Sequence, residues 1–276
     1  MRPTIIFTAT TLLVGLVAVS SASQADVFSY TFTDVNVLGS MPNSTGVFGF
    51  GLNNWGQVAG SYVNSEGQYQ GFLYTGGKYL PINVPGSTNT TPTGINDWGQ
   101  TVGYYCCSNG IAPDFLYDHG KFIDFSNVNV FQPTAINDRG QILGFNPATG
   151  NYAIETHGVF TTLTGALGAT HTFFSDFNNF GQFVGFYVDS GGNGHGFLDT
   201  KGVFTTLADP AGNFTTPLGI NDSGQIVGTY TDSAGNGHGF IDTHGHFTTF
   251  DEPNAALGPG TQPLAINDLG QIFLLE

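Results

Sequence analysis

Apolar and polar positions alternate along this chain in short runs that never lengthen into a helical stripe. The stretch Thr215 to Phe250 shows the pattern in four pieces: Thr-Thr-Pro-Leu-Gly-Ile, Gln-Ile-Val-Gly-Thr-Tyr, His-Gly-Phe-Ile-Asp-Thr and His-Phe-Thr-Thr-Phe. Each piece is rich in β-branched and aromatic residues and is bounded by Asn, Asp and Gly, the chemistry of strands and hairpins. No capped run of 3.6-residue period occurs after the first 25 residues, so the chain is predicted to be all-β.

Turn length predicts how the four strands connect. Asn221-Asp222-Ser223-Gly224 is a tight turn with glycine supplying the positive φ, and His244-Gly245 suits a two-residue hairpin. Gly76-Gly77, His119-Gly120, His157-Gly158 and Lys201-Gly202 stand at the places equivalent to His244-Gly245. Each unit therefore reads as an inner strand, a second, a third and an outer strand, with the long Pro/Gly/Asn-rich connection crossing to the next unit. Small Thr and Gly on the inner strand suit crowding near an axis.

The motif Asn-(Asn/Asp)-x-Gly-Gln recurs six times, beginning at Asn53, Asn96, Asn137, Asn178, Asn221 and Asn267, at intervals of 43, 41, 41, 43 and 46 residues. That spacing is the length of a four-stranded propeller blade. The expected fold is a β-propeller of about six blades, four antiparallel strands each, in a single domain over residues 26–276. Its structural turns include Asn96, Asp97 and Gly99; Asn137, Asp138 and Gly140; Asn221, Asp222 and Gly224; and Asn267, Asp268 and Gly270. The last blade is expected to be composite. Gln262 to Glu276 supplies two strands, and Val27 to Val35 would close it as a third and outer strand. An open or incomplete last blade is the alternative.

Residues 1–25 carry Arg2, an apolar run from Ile5 to Val19 and small residues at Ser23 and Ala25, the pattern of a secretory signal. The run falls short of the roughly 20 residues needed to span a bilayer. A soluble, monomeric, exported chain, extracellular or periplasmic, is expected, without stable membrane insertion after cleavage. The only cysteines, Cys106 and Cys107, are adjacent. An oxidising compartment permits a strained disulfide between them; two thiols or an intermolecular bridge are the alternatives.

The repeated Gly-Ile-Asn-Asp-x-Gly-Gln-Ile-Val-Gly segment, followed by His195-Gly-Phe and His238-Gly-Phe, resembles the HAF-type extracellular repeat family of bacterial secreted proteins. The resemblance covers nearly all of the chain after the signal. It departs from the triplet at Gln70-Gly-Phe, Pro113-Asp-Phe and Tyr152-Ala-Ile. The resemblance implies export and repeat architecture and carries no activity to transfer residue by residue.

Composition narrows the functions. The 276 residues hold 5 Lys+Arg against 20 Asp+Glu, a formal charge of −15, which argues against binding nucleic acid or an anionic membrane. Sialidase-type chemistry wants an arginine cluster, and Arg139 stands alone after the signal. Other glycosidases need a carboxylate pair; Asp209, Asp251 and Glu252 on the crossovers are candidates. No nucleophile elbow, P-loop, HExxH or nucleotide-binding glycine fingerprint occurs.

Strand parity places the Asn-Asp and His-Gly turns on one, closed face and the longer loops on the other. The loop face is the expected binding face. It carries two near-identical trios, Asp189, Asn193 and His195, and Asp232, Asn236 and His238. Asp189 and Asp232 open Asp-x-x-x-Asn-Gly runs like the first half of a calcium loop, but Gly191 or Ala234 and Thr200 or Thr243 break the oxygen set. No cofactor is expected, with weak calcium binding as the alternative. Each histidine is expected to bond a neighbouring blade's backbone. Trp55 and Trp98 occupy the variable turn position, to pack over adjacent blades or to stack on sugar rings. No single blade stands out by an idiosyncratic polar cluster. The expected function is non-enzymatic binding of a glycan, cell-surface polymer or protein; the alternative is an extracellular polysaccharide hydrolase or lyase using loop-face carboxylates.

Overall fold

The computed structural model describes residues 12–16, 31–35, 45–106, 113–123, 131–166, 168–208, 210, 212–251 and 260–275. Cys107, Asp209, Glu252 and most of the expected signal lie outside them. The strands in chain order are β1 (Leu12–Leu16) and β2 (Thr31–Val35); β3 (Thr45–Leu52), β4 (Val58–Val63), β5 (Tyr69–Thr75) and β6 (Lys78–Pro81); β7 (Asn89–Ile95), β8 (Thr101–Cys106), β9 (Asp114–Asp118) and β10 (Lys121–Ile123). There follow β11 (Gln132–Ile136), β12 (Ile142–Asn146), β13 (Asn151–Thr156) and β14 (Val159–Thr162); β15 (His171–Phe177), β16 (Gln182–Val188), β17 (Gly194–Thr200) and β18 (Val203–Leu207). The last are β19 (Gly212–Ile220), β20 (Gln225–Asp232), β21 (Gly237–Thr243) and β22 (His246–Phe250), then β23 (Gln262–Ile266) and β24 (Gln271–Leu275).

These form six four-stranded antiparallel sheets, five of them in sequence order from inner to outer strand. The sixth is composite, in the order β2-β1-β24-β23. Here the expectation of three strands is corrected. Thr31–Val35 is the outer strand but does not pair with β24; Leu12–Leu16, inside the apolar run read as a signal, lies between them, with Gly15 opposite Ile272. A β-prone apolar run satisfies the backbone groups of β24 as readily as it satisfies a signal sequence.

The hairpin turns follow the sequence reading. His119, His157, Lys201 and His244 have φ of 46°, 50°, 57° and 53°, each followed by a glycine of positive φ, so both central residues are left-handed as a type I′ turn requires. These histidines are turn residues.

Every inner strand is bulged. The ladder skips one residue between Gly49 and Gly51, Pro92 and Gly94, Pro133 and Ala135, Phe174 and Asp176, Pro217 and Gly219, and Pro263 and Ala265. A bulge bends the strand and re-aims the extra side chain; here it faces the axis. The core lies between blades. The phenylalanine of the third strand is its centrepiece, with Phe72, Phe115, Phe197 and Phe240 at 0–1% exposure. Each of these rings is worth roughly 1.5–3 kcal/mol of burial.

Candidate functional site: the turn face and the axial channel

Each Asn-(Asn/Asp)-x-Gly-Gln turn is closed by its first asparagine. In the fifth blade the Asn221 N–H donates to the Gln225 carbonyl at 3.1 Å, and the Gln225 N–H donates to Asn221 Oδ1 at 2.9 Å. Its Nδ2 donates to Gln225 Oε1 at 2.9 Å and, across the blade boundary, to the Asn267 carbonyl at 3.0 Å. The same inter-blade bond runs from Asn53 to Asn96, Asn96 to Asn137, Asn178 to Asn221 and Asn267 to Asn53. All six asparagines are 3–5% exposed. Asn221→Ala removes the inter-blade bond to the Asn267 carbonyl and the Oδ1 acceptor of the Gln225 N–H, and is expected to lower unfolding free energy by about 2 kcal/mol, read as a lower urea midpoint at unchanged slope.

The second turn residues form a closed ring. The main-chain N–H of Asn54 donates to Asp97 Oδ1, that of Asp97 to Asp138, Asp138 to Asn179, Asn179 to Asp222, Asp222 to Asp268, and Asp268 to Asn54, all at 2.7–2.9 Å. The two asparagines sit opposite one another and each bridges two carboxylates. Asn54 Nδ2 donates to Asp97 and Asp268 at 2.6 and 2.8 Å, and Asn179 Nδ2 to Asp138 and Asp222, both at 2.8 Å. Burial raises the Asp97 carboxyl, and repulsion from Asp138 and Asp268 adds to it, against the Asn54 donors. The result is four carboxylates held in fixed positions around the axis, with lone pairs left to accept from hydroxyl groups.

The variable turn residue makes an outer rim. Trp55 and Trp98, the only tryptophans of the chain, are 75% and 64% exposed, and Phe180 and Leu269 continue the rim. Each indole is pinned: Trp55 Nε1 donates to the Asp97 carbonyl at 2.9 Å and Trp98 Nε1 to the Asp138 carbonyl at 2.8 Å. The tryptophans thus do lie over the adjacent blade, while leaving most of their surface in solvent.

Inside the ring an axial channel encloses about 120 Å³. The six bulged residues line it: Phe50, Thr93, Thr134, Ser175, Leu218 and Leu264. Three successive blades contribute hydroxyls and the other three apolar groups, so the channel has a polar and an apolar side. Thr93 Oγ1 donates to the Pro133 carbonyl of the next blade at 2.8 Å.

The residue after the bulge is Gly51, Gly94, Ala135, Gly219 or Ala265 in five blades and Asp176 in the fourth. A Cβ at Gly219 would lie 3.3 Å from Ile266 N of the next blade. The Asp176 carboxylate reaches the equivalent place, accepting from Ile220 N–H at 3.0 Å. Burial pushes this carboxyl up to about 7, against the main-chain donors of Ile220 and Phe177. The fourth blade therefore departs from the other five by one charged side chain. The position was visible in the sequence as a charged residue two places before Asn178 where five units have Gly or Ala.

On the loop face the two trios close on themselves. Asp189 Oδ1 accepts from the Gly191 and Asn193 N–H groups at 2.8 and 2.9 Å, and its Oδ2 lies 3.0 Å from His195 Nε2. Asp232 accepts from Ala234, Asn236 and its amide at 2.8 Å, with His238 Nε2 at 3.3 Å. Both carboxyls are held well below the usual range, Asp189 chiefly by His195 and Asp232 chiefly by the Asn236 side chain. The histidines pack on tyrosines of their own blade, His195 tilted against Tyr187 at 5.1 Å and His238 stacked on Tyr230 at 5.0 Å. His238 Nδ1 also meets Asp251 at 2.9 Å, which raises the imidazole above its ordinary value. The expected bond to a neighbouring blade's backbone is replaced by these own-blade contacts, because the loop aspartate sits within a hairpin's width of the ring. Among the described residues no group of three His, Cys, Asp or Glu is placed to hold a metal ion.

No protein-family model matches the chain. No curated protein is similar to it. Solved structures are. TolB from Acinetobacter baumannii superposes with TM-score 0.60 at 14% identity, over 87% of this chain and 62% of that one. A TolB from Agrobacterium tumefaciens superposes with TM-score 0.59 at 14% identity, over 83% of this chain and 88% of that one. The fold is a β-propeller. This propeller spans less than two thirds of the Acinetobacter chain, and identity this low carries the fold alone. Aleuria aurantia lectin in complex with alpha-methyl-L-fucoside is a more distant match, with TM-score 0.44, 12% identity, and 74% and 76% of the two chains covered.

Proposed function

We propose that this chain is a secreted, non-catalytic binding propeller whose turn face grips a glycan. The observation that carries the reading is the placement of both tryptophans. They stand exposed at equivalent turns of adjacent blades, each oriented by an indole hydrogen bond, beside the fixed carboxylates Asp97 and Asp138. Sugar rings offer one apolar face and an edge of hydroxyls, which suits a rigid aromatic surface next to planar acceptors. The loop-face trios have their polar atoms engaged with one another, so the reading rests on the turn face, which the sequence presented as closed. The residues 1–25 pattern supports export; cleavage near Ala25 would remove β1 from the last blade and leave in place the turn residues 53–271 on which the reading rests. Trp55→Ala combined with Trp98→Ala is expected to weaken binding to a soluble neutral polysaccharide at least tenfold, about 1.4 kcal/mol, with an unchanged melting temperature. Calorimetric titration of parent and variant decides it, and parental affinity in the double variant would overturn the reading.

Asp176 favours a second reading, a polysaccharide hydrolase or lyase with this carboxyl transferring a proton in the channel. A carboxyl that titrates near neutrality suits general acid or base work. Product release from polysaccharide that disappears in Asp176→Asn, with binding intact, would select it.

A further inference from the structure

We propose that His238 is a pH-operated clasp on the loop face: its imidazolium ties the loop after β20 to the end of β22 at mildly acidic pH, and the neutral ring releases that strand end. The clasp is remote from the Asn-Asp turns, so it stands or falls independently of the turn-face reading.

Both ring nitrogens of His238 meet a carboxylate. Nδ1 lies 2.9 Å from Asp251 Oδ2, and Nε2 lies 3.3 Å from Asp232 Oδ2. A neutral imidazole carries one N–H and serves one of these acceptors, leaving a lone pair aimed at the other; the doubly protonated ring donates to both. No other described histidine meets two carboxylates. His195, at the matching place in the fourth blade, meets Asp189 alone, because Ala208 stands after β18 where Asp251 stands after β22.

The clasp joins a fixed point to a strand end. Asp232 closes β20 and is held by the Ala234 and Asn236 N–H groups. Asp251 is the first residue after β22, where the chain leaves the fifth blade for the composite one. The chain returns at Gly260, packed so closely on the Gly237 carbonyl that a Cβ there would collide with it. His238 therefore sits beside both the departing and the returning chain. The groups facing it are Asp232 on β20, Asp251 after β22 and the Tyr230 ring on β20, whose hydroxyl is engaged with Thr249 Oγ1 at 2.9 Å. The charges acting on it are these two aspartates. Asp251 foremost, then Asp232, raises the imidazole above its ordinary 6.5, against partial burial. Asp232 is itself held below its ordinary 3.8, chiefly by the Asn236 side chain, and stays charged. A raised base binds its proton more tightly in the folded state, so the clasp contributes fully below about pH 6.5 and is lost as pH rises through the folded value.

The folded full chain and its Asp251→Asn variant test the clasp. By NMR titration the His238 ring is expected to have a midpoint above 6.5 in the parent and a lower one in the variant. Urea unfolding at about pH 5.5 should give the variant an unfolding equilibrium constant roughly two- to fivefold above the parent's, the effect of one half-exposed ion pair. At about pH 9 it should be no higher than the parent's, because the neutral ring leaves Asp251 facing Asp232. Both proteins carry Asp176, so its own titration cancels in the difference. A midpoint at or below 6.5 in the parent, a midpoint unmoved by Asp251→Asn, or a rise in the unfolding constant of equal size at both pH values overturns the proposal. Should the variant fail to fold, the parental midpoint decides alone.

Discussion

Asp176→Asn is expected to melt several degrees above the parent at pH 8 and close to it at pH 4. The carboxyl is raised from its ordinary 3.8 to about 7 by burial at the channel wall. A raised acid binds its proton more tightly in the folded state, so folded stability declines as pH rises from about 4 to about 7 and is lower by a constant amount beyond. At 1.36 kcal/mol per pKa unit the full penalty is about 4 kcal/mol, and partial access to the channel reduces it to between about 2 and 4 kcal/mol. The neutral amide keeps an acceptor for Ile220 N–H and removes the charge. A domain of this size gains roughly 2–4 °C per kcal/mol. Thermal melts of both proteins across pH 4–8 check it: the difference should grow through that window and level off. A variant less stable at every pH would show that hydrogen-bond geometry, not charge, governs the site. A group that lowers stability where five blades have Gly or Ala is what a functional position leaves behind.

Gly185→Ala is expected to cost at least about 3 kcal/mol and to uncouple the fourth blade. A Cβ at Gly185 would lie 1.9 Å from the carbonyl oxygen of Phe173, on the inner strand opposite it. The oxygen belongs to the backbone, which cannot swing aside without breaking the β15–β16 ladder at its bulge. The same clash recurs at Gly103 with the Thr91 oxygen at 2.3 Å and at Gly228 with the Thr216 oxygen at 2.2 Å. The glycine of Gln-Ile-Val-Gly is thus a contact requirement beside the bulge and not a turn residue. Its φ is not in the left-handed region, so the effect separates cleanly from backbone strain. Urea unfolding should show a lower midpoint with a shallower or two-step transition if the blade detaches first. A ΔΔG under about 1 kcal/mol would mean that the inner strand relaxes freely.

The legible parts of this protein are those encoded by neighbours in the chain. Turn chemistry at His244-Gly245 and its equivalents gave strand order, because a type I′ turn constrains two adjacent residues and nothing beyond them. The 41–46-residue spacing gave the blade count for the same reason. The site was less legible. Asp97, Asp138, Asp222 and Asp268 look like isolated turn residues until the ring brings them round one axis, linked by bonds that span 41–46 residues and, at closure, 214. Strand parity separates the Asn-Asp turns from the longer loops, and the short turns hold their side chains rigidly toward the axis, which turn length alone does not reveal. Asp176 was within reach of the sequence, by comparing the residue two places before each turn asparagine.

The sequence by itself therefore determined the secondary structure, its repeat and the composite nature of the last blade, since these depend on local φ preferences and a recurring apolar pattern. Only the tertiary structure decided which strand fills the gap beside β24, how four carboxylates share two bridging amides, and that the Asp176 carboxyl is buried against the Ile220 N–H of the next blade. Those outcomes depend on what lies across a blade boundary, where burial and the partner's backbone set the energy of a side chain.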